Sequence, residues 1–244
     1  MISFPNVVLT PDSVLPILTP LVENGDVKLE AVMNTHKHGD HSGGNDKMLQ
    51  TFKSANGEEL PLIAGRGSPR VTRVPEDGSG FTFGSVNVKA IHTPCHTDES
   101  ICWHFTDSSS GNTAEKTNNA VFTGDTLFSG GCGRFFEGSP AEMDTALNKK
   151  LAALPDDTRV YPGHEYTKSN AKFAVSVSSK PEVQQLLDYS TKNEVTTGRW
   201  TMGEEKKHNV FMMLRDQEIR SKTQGKDDAD VMGKLREMKN NFRG

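Results

Sequence analysis

The chain predicts an α+β fold: mixed strands and helices over residues 1–165, then a helical domain over residues 166–244. Three observations carry that prediction. Short apolar runs of strand length, bounded by Gly, Pro and polar clusters, recur as far as Val160-Tyr161. Beyond His164 those runs fade and apolar residues return at helical spacing. Four of the strand-like runs lead into residues that bind metals, which gathers those residues at one edge of packed sheets.

Composition sets the limits. A chain of 244 residues, 34% hydrophobic and 25% charged, suffices for one substantial core, or for one core with a small second domain. A net charge of -4 leaves no basic footprint for nucleic acid or for an anionic membrane surface. Cys95, Cys102 and Cys132 are odd in number and scattered, which argues against a disulfide framework and for a reducing compartment. Met1 to Pro5 has neither the basic nor the apolar region of a secretory signal, and no stretch is long and apolar enough to span a bilayer. The expected location is the cytoplasm, with mitochondria as the alternative.

Taken in order, Asp12 or Ser13 is suited to cap a helix through Leu15, Leu18 and Leu21, made imperfect by Pro16 and Pro20 and closed at Gly25-Asp26. Ala31 to Thr35 reads as a strand. Gly43-Gly44 leads into a helix through Met48, Leu49 and Phe52, and Leu62-Ile63-Ala64 is a short buried strand. Phe81 to Phe83 and Val86 to Ile91 form a hairpin around Gly84-Ser85. Ile101 to Thr106 and Ala120 to Thr123 are strands, separated by a polar loop from Asp107 to Asn119. Ser139-Pro140-Ala141-Glu142 starts a helix, with Ser139 as N-cap, Pro140 at the first helical position and Glu142 completing a capping box. That helix runs through Leu147 and Leu151 towards Pro155, and Arg159-Val160-Tyr161 is the last strand. Lys172 to Tyr189 is helical and broken at Pro181, and Val231, Leu235 and Met238 mark a terminal helix.

The densest chemical signal is Thr35-His36-Lys37-His38-Gly39-Asp40-His41. Packing does not ask for three imidazoles and a carboxylate in one loop; a cation such as zinc does, because neutral imidazole and carboxylate are its ligands. His96, Asp125 and His164 each follow a strand. Singly each is weak, since a lone His is usually structural and Asp125 in Thr-Gly-Asp-Thr could be a turn residue. Together with the loop they supply the ligand count for two metals sharing one carboxylate.

Thr35 to His41 matches T-H-x-H-x-D-H, and on that motif the chain resembles the metallo-β-lactamase superfamily. Within it the chain is similar to the glyoxalase II (hydroxyacylglutathione hydrolase) family. Thr93 to Thr97, Phe122 to Phe128, Gly131 to Gly138 and Gly163 to Thr167 match that family's motifs in order. The resemblance implies an αββα sandwich followed by the helical domain. It implies a first metal on His36, His38 and His96, a second on Asp40, His41 and His164, and Asp125 bridging both. The ions would be zinc, with iron or manganese as alternatives. His92 falls outside the motif and is read as a non-ligand; His104 and His208 have no metal-like context.

By the same resemblance the protein is a monomeric enzyme that hydrolyses S-D-lactoylglutathione to D-lactate and glutathione, in methylglyoxal detoxification. Two adjacent ions lower the pKa of a shared water, with Asp40 and Asp125 as the carboxylates of the reaction centre. Arg134, Phe136, Tyr166 and Arg215 are the expected substrate contacts. Phe136 stands where many members carry Tyr. In Asn209 to Arg215, Met213 replaces an arginine that grips a glutathione carboxylate in the family, and Arg215 is the compensating candidate. The family's first two strands have no counterpart before Val7, so an N-terminally shortened sandwich is expected, with Val7-Val8-Leu9 or the strand Val86 to Ile91 left exposed. Two alternatives stay open: another superfamily hydrolase or a persulfide dioxygenase, or an inactive, truncated paralogue.

Overall fold

Val88 and Ala90 are buried on one face of a strand and Ile91 on the other, because successive side chains alternate across a sheet. That strand lies inside a mixed five-stranded sheet in a computed structural model that describes residues 11–54, 56–107 and 119–244, with Pro11 and Asp12 described by backbone alone. The sheet runs β3 (Gly80–Phe83), β4 (Val86–His92), β5 (Ile101–Asp107), β6 (Ala120–Gly124), β9 (Arg159–Pro162). All neighbours are antiparallel except β6 and β9. The hairpin closes as expected, Phe83 pairing with Val86 across Gly84, whose φ of 57° suits the tight turn. The expectation that Val86 to Ile91 would be exposed is corrected: β3 and β5 flank it on both sides. Val7-Val8-Leu9 and most of the loop from Asp107 to Asn119 lie outside the described residues.

Three apolar interfaces stack the layers. Leu18 of α1 (Pro11–Glu23) and Met48 of α3 (Asn45–Thr51) pack on a small parallel sheet, β1 (Val32–Met33) with β2 (Leu62–Ile63). Ile63 then meets Val88, Ala90, Ile101 and Trp103 of the large sheet. On the sheet's other face Ile91, Cys102, Val121 and Val160 pack against Met143, Leu147 and Leu151 and on into the tail. The order is helix, sheet, sheet, helix. The first helix begins at Pro11, ahead of the expected caps.

The helix α4 (Pro140–Asp144) starts on the expected capping box, Ser139 N–H donating to Glu142 Oε2 at 2.7 Å. It widens into a π-turn over Thr145–Lys150 before a last turn at Leu151–Ala153. The tail comprises α5 (Thr167–Val177), α6 (Pro181–Lys192), α7 (Met202–His208), α8 (Gln217–Thr223) and α9 (Asp228–Asn241). Pro181 separates α5 from α6 by sitting at a first helical position, where its missing N–H is not needed. Helices α7 and α8 were not expected from apolar spacing, yet α7 carries its own signal, a capping box between Thr201 and Glu204.

Candidate metal centre

Strand β1 delivers the chain into the His loop, and α2 (Gly39–Ser42) is a single turn that redirects it. The loop is held from beneath by amides: Asn34 Nδ2 donates to His41 O at 2.9 Å, and Asn45 Nδ2 to Asn34 Oδ1 at 2.8 Å. Ile101 N–H on β5 donates to Thr35 O at 2.8 Å and ties the loop to the large sheet. Lys37 turns outward, its Nζ 2.8 Å from both Asp98 and Glu137. Those hydrogen bonds, Asp98 first, raise its pKa. One half-buried lysine thus joins the His loop to the segments after β4 and β8 (Gly131–Cys132).

The ends of β4, β6 and β9 bring His96, Asp125 and His164 to this loop. Three overlapping groups form: His36, His38 and His96; His36, His41 and Asp125; Asp40, His41 and His164. All seven residues expected from the sequence as ligands are therefore in one place. His38 Nδ1 lies 3.1 Å from His36 Nε2 and 3.0 Å from His96 Nε2. His41 Nε2 lies 3.2 Å from His164 Nε2 and 3.2 Å from Asp125 Oδ1. Asp125 Oδ2 is 3.5 Å from His96 Nε2 and 3.6 Å from His164 Nε2. Asp40 Oδ2 is 3.2 Å from His164 Nε2.

These separations suit a cation. Two donors each bound at about 2.0–2.1 Å in a tetrahedron sit roughly 3.3–3.4 Å apart. Asp125 Oδ1 is buried without a well-formed hydrogen bond, so the protein alone leaves an acceptor unmet at the centre of the cluster. Backbone closeness is part of the design. A Cβ on Gly163 would stand 2.4 Å from Asp125 Oδ1, and one on Gly133 1.8 Å from Asp125 O.

Electrostatics keep the donors in ligand form. Burial, then the neighbouring His41, lowers the His36 pKa to about 2, and burial also lowers that of His96. Burial works to raise the Asp125 pKa, but the close approach and charge of His41, with His36 and His164, outweigh it and hold the carboxyl below its usual value. His96 Nδ1 lies 3.0 Å from Arg134 O, which makes Nδ1 the protonated nitrogen and turns Nε2 to the cluster.

The rim is aromatic. Tyr166 stacks on His164 at 4.9 Å between centroids, and Phe136, 59% exposed, packs on His96 at 5.1 Å. Arg134 is exposed beside them. Arg215 is on the tail instead, bonded through Nε to Asp228. Met213 is buried in the core, so this side chain does not stand at a substrate surface. His92 bonds through its ring to Pro75 O, His208 pairs with Glu205, and neither belongs to a ligand group. Burial raises the Cys95 pKa to about 12, which argues against its use as a nucleophile. Asn34, Asn45, Asp98 and Glu137 were given no role from the sequence, although Glu137 lies within the Gly131 to Gly138 motif and Asn34 and Asp98 each adjoin one.

Comparison with known proteins adds the lineage. Residues 20–164 match the family model of the metallo-beta-lactamase superfamily, and residues 165–242 match that of the hydroxyacylglutathione hydrolase C-terminus. A probable hydroxyacylglutathione hydrolase, glo2, of Schizosaccharomyces pombe is 46% identical over 94% of this chain and 85% of its own length. The cytoplasmic isozyme of hydroxyacylglutathione hydrolase from Saccharomyces cerevisiae is 40% identical over 94% of this chain and 86% of its own. Among solved structures, ETHE1 from Myxococcus xanthus superposes with a TM-score of 0.56 at 24% identity, over 91% of this chain and 75% of that one, a likeness of fold.

Proposed function

The chain belongs to the hydroxyacylglutathione hydrolases of the metallo-β-lactamase superfamily, and from that premise we propose how its residues carry the reaction. The activity is thioester hydrolysis of the glyoxalase II type: S-D-lactoylglutathione and water give D-lactate and glutathione, within methylglyoxal detoxification. The convergence of seven donors in three overlapping groups is the observation that carries the assignment of roles.

His36, His38 and His96 would hold one divalent ion, Asp40, His41 and His164 a second, with Asp125 shared; zinc suits the imidazole-rich donor set. When bound, such ions polarise a thioester carbonyl and make hydroxide available near neutral pH. The protein's own part is preparation. Burial keeps His36 and His96 neutral, so each offers a lone pair rather than a proton. Arg134 O fixes the His96 tautomer. Asp40 and Asp125 carry the negative charge that offsets the ions. Phe136 and Tyr166 wall the opening, and with Arg134 they would contact glutathione. Arg215 is the further candidate on the tail, where it competes with its ion pair to Asp228. The glutathione thiolate leaves readily, with a reference thiol pKa of about 8.5, so no strong general acid is required of the protein.

Residues 1–165 would form the catalytic domain and 166–244 the substrate-binding domain, in a monomer. No helix of the described residues is long and apolar enough to cross a membrane. The cytoplasm is the proposed compartment, as in the name of the Saccharomyces isozyme. The test is a metal-to-protein ratio measured beside hydrolysis of S-D-lactoylglutathione. Two ions per chain with turnover are expected. A fully reconstituted protein with one ion or fewer would reject the ligand scheme, and a two-ion protein inert on this thioester would reject the substrate.

A further inference from the structure

Between Asp125 and Arg134 the chain makes a very small hairpin, β7 (Leu127–Phe128) with β8, paired only as Leu127 with Cys132 and Phe128 with Gly131. So short a ladder has little stability of its own. The helical tail supplies what it lacks. Asn170 Nδ2 donates to Ser129 O at 3.2 Å. Asn209 Nδ2 donates to Phe128 O at 3.2 Å and to Gly131 O at 3.0 Å. Arg236 Nη1 donates to Cys132 O at 2.8 Å, and Glu205 Oε2 accepts from Gly130 N–H at 3.0 Å. From Phe128 to Cys132, every residue gives the tail a backbone group. The four tail side chains are 5%, 0%, 8% and 0% exposed.

The hairpin's other end reaches the ligands. Arg134 O orients His96, and Gly133 N–H donates to Thr126 O at 3.2 Å, next to Asp125. Gly133 is packed so closely on Asp125 O that no Cβ fits. Phe128 packs on both Tyr166 and His164. None of the described partners of Arg236 is a carboxylate: they are Cys132 O, Asn240 Oδ1 and the Phe211 ring. Burying such a cation is unfavourable in itself, and here its strongest contact is one hairpin carbonyl.

We propose that the helical tail is a positioning device for the metal centre, acting through this hairpin, with Glu205, Asn209 and Arg236 as positioning residues. This rests on the metal reading above and gives the tail a task besides substrate contact. Because coupling between sites is reciprocal, a tail that holds the ligands is itself held when metal binds.

The first experiment uses the full, unaltered chain, zinc-loaded and zinc-stripped, in amide hydrogen exchange. Peptides covering residues 202–213 and 228–241 should exchange roughly threefold more slowly, or better, when loaded. Protection confined to the His loop would overturn the proposal. A parent that takes up no zinc would instead overturn the metal reading and this inference with it. The second experiment compares R236M with R236K in the zinc-loaded protein. R236M should release zinc to a chelator roughly tenfold faster and lower kcat with KM little changed, with R236K recovering most of both. A folded R236M that keeps the parent's release rate, or raises KM alone, would reduce the tail to substrate binding. Should R236M fail to fold, the exchange comparison decides alone.

Discussion

Two buried polar clusters of this protein are built on opposite plans. At the strand ends, His36, His41, His96 and Asp125 are almost wholly buried and turn their donor atoms towards one another. At the junction with the tail, Glu205, Asn209 and Arg236 are as deeply buried but turn theirs to backbone groups of the β7–β8 hairpin. Leaving a buried polar group unmet costs about 1–3 kcal/mol, so the first cluster is unfavourable until something else satisfies it. The second is largely satisfied by the protein itself. Like groups facing one another are the mark of a site, and complementary groups are the mark of a joint.

Removing the shared carboxylate is the hardest test of that distinction. Asp125→Ala should lower kcat/KM by about a thousandfold or more and reduce bound metal, because one residue serves both proposed ion sites. His92→Ala, whose ring bonds to Pro75 O outside the ligand groups, should leave both near the parent values. Elemental analysis with thioester hydrolysis checks the pair, and equal losses would mean the wrong histidines were chosen. Next in size is Gly163→Ala, whose added methyl meets Asp125 Oδ1 and His41 Cε1 at 2.4 Å and 2.9 Å. A loss of about a hundredfold in kcat is expected, since small misplacements of reacting groups have effects of that order. A variant with full activity would mean that Asp125 and His41 have room to move.

The gathering of His36, His38, Asp40, His41, His96, Asp125 and His164 was legible because metal chemistry favours such side chains and each stands in or after a loop at a strand end. The layers were legible for a similar reason: alternation in Val88, Ala90 and Ile91 marks two covered faces, and the capping box at Ser139 marks a helix start. What stayed hidden depended on long-range contacts. Nothing near Arg236 in the sequence says that its guanidinium meets Cys132 O, and nothing near Lys37 says that Asp98 and Glu137 close on it. Burial of Met213, which resemblance places where the family has an arginine, likewise depends on contacts that its own segment does not show.

A third kind of buried imidazole sharpens the comparison. His104 on β5 is buried, and among the described residues its Nε2 has no hydrogen-bond partner and it joins no ligand group. Burial, then the nearby Lys89, lowers its pKa. As pH falls through about 6.5 the unfolded chain takes up a proton that the folded chain refuses, so stability must fall too. The slope from one such residue is at most about 1.4 kcal/mol per pH unit. His104→Phe should flatten the acid side of the stability profile by up to that amount. Chemical unfolding of metal-free parent and variant at several pH values isolates it, since the ligand histidines are common to both. Identical slopes would mean His104 is protonated in the fold.

The smallest expected effect lies at the rim. Phe136 is 59% exposed, and its ring packs on His38 and His96, so its edge faces solvent at the mouth of the site. Phe136→Tyr adds a hydroxyl there without disturbing buried structure. One new hydrogen bond to glutathione contributes about 0.5–1.5 kcal/mol, which is roughly a twofold to tenfold change. A contact to glutathione that ground and transition states share should appear as a lower KM with kcat unchanged. Steady-state kinetics on S-D-lactoylglutathione reads the split directly. If kcat moved and KM did not, the ring would be acting through His38 and His96 on the metal centre. Rim and ligand cluster would then be one unit, and substrate affinity could not be tuned without touching the chemistry.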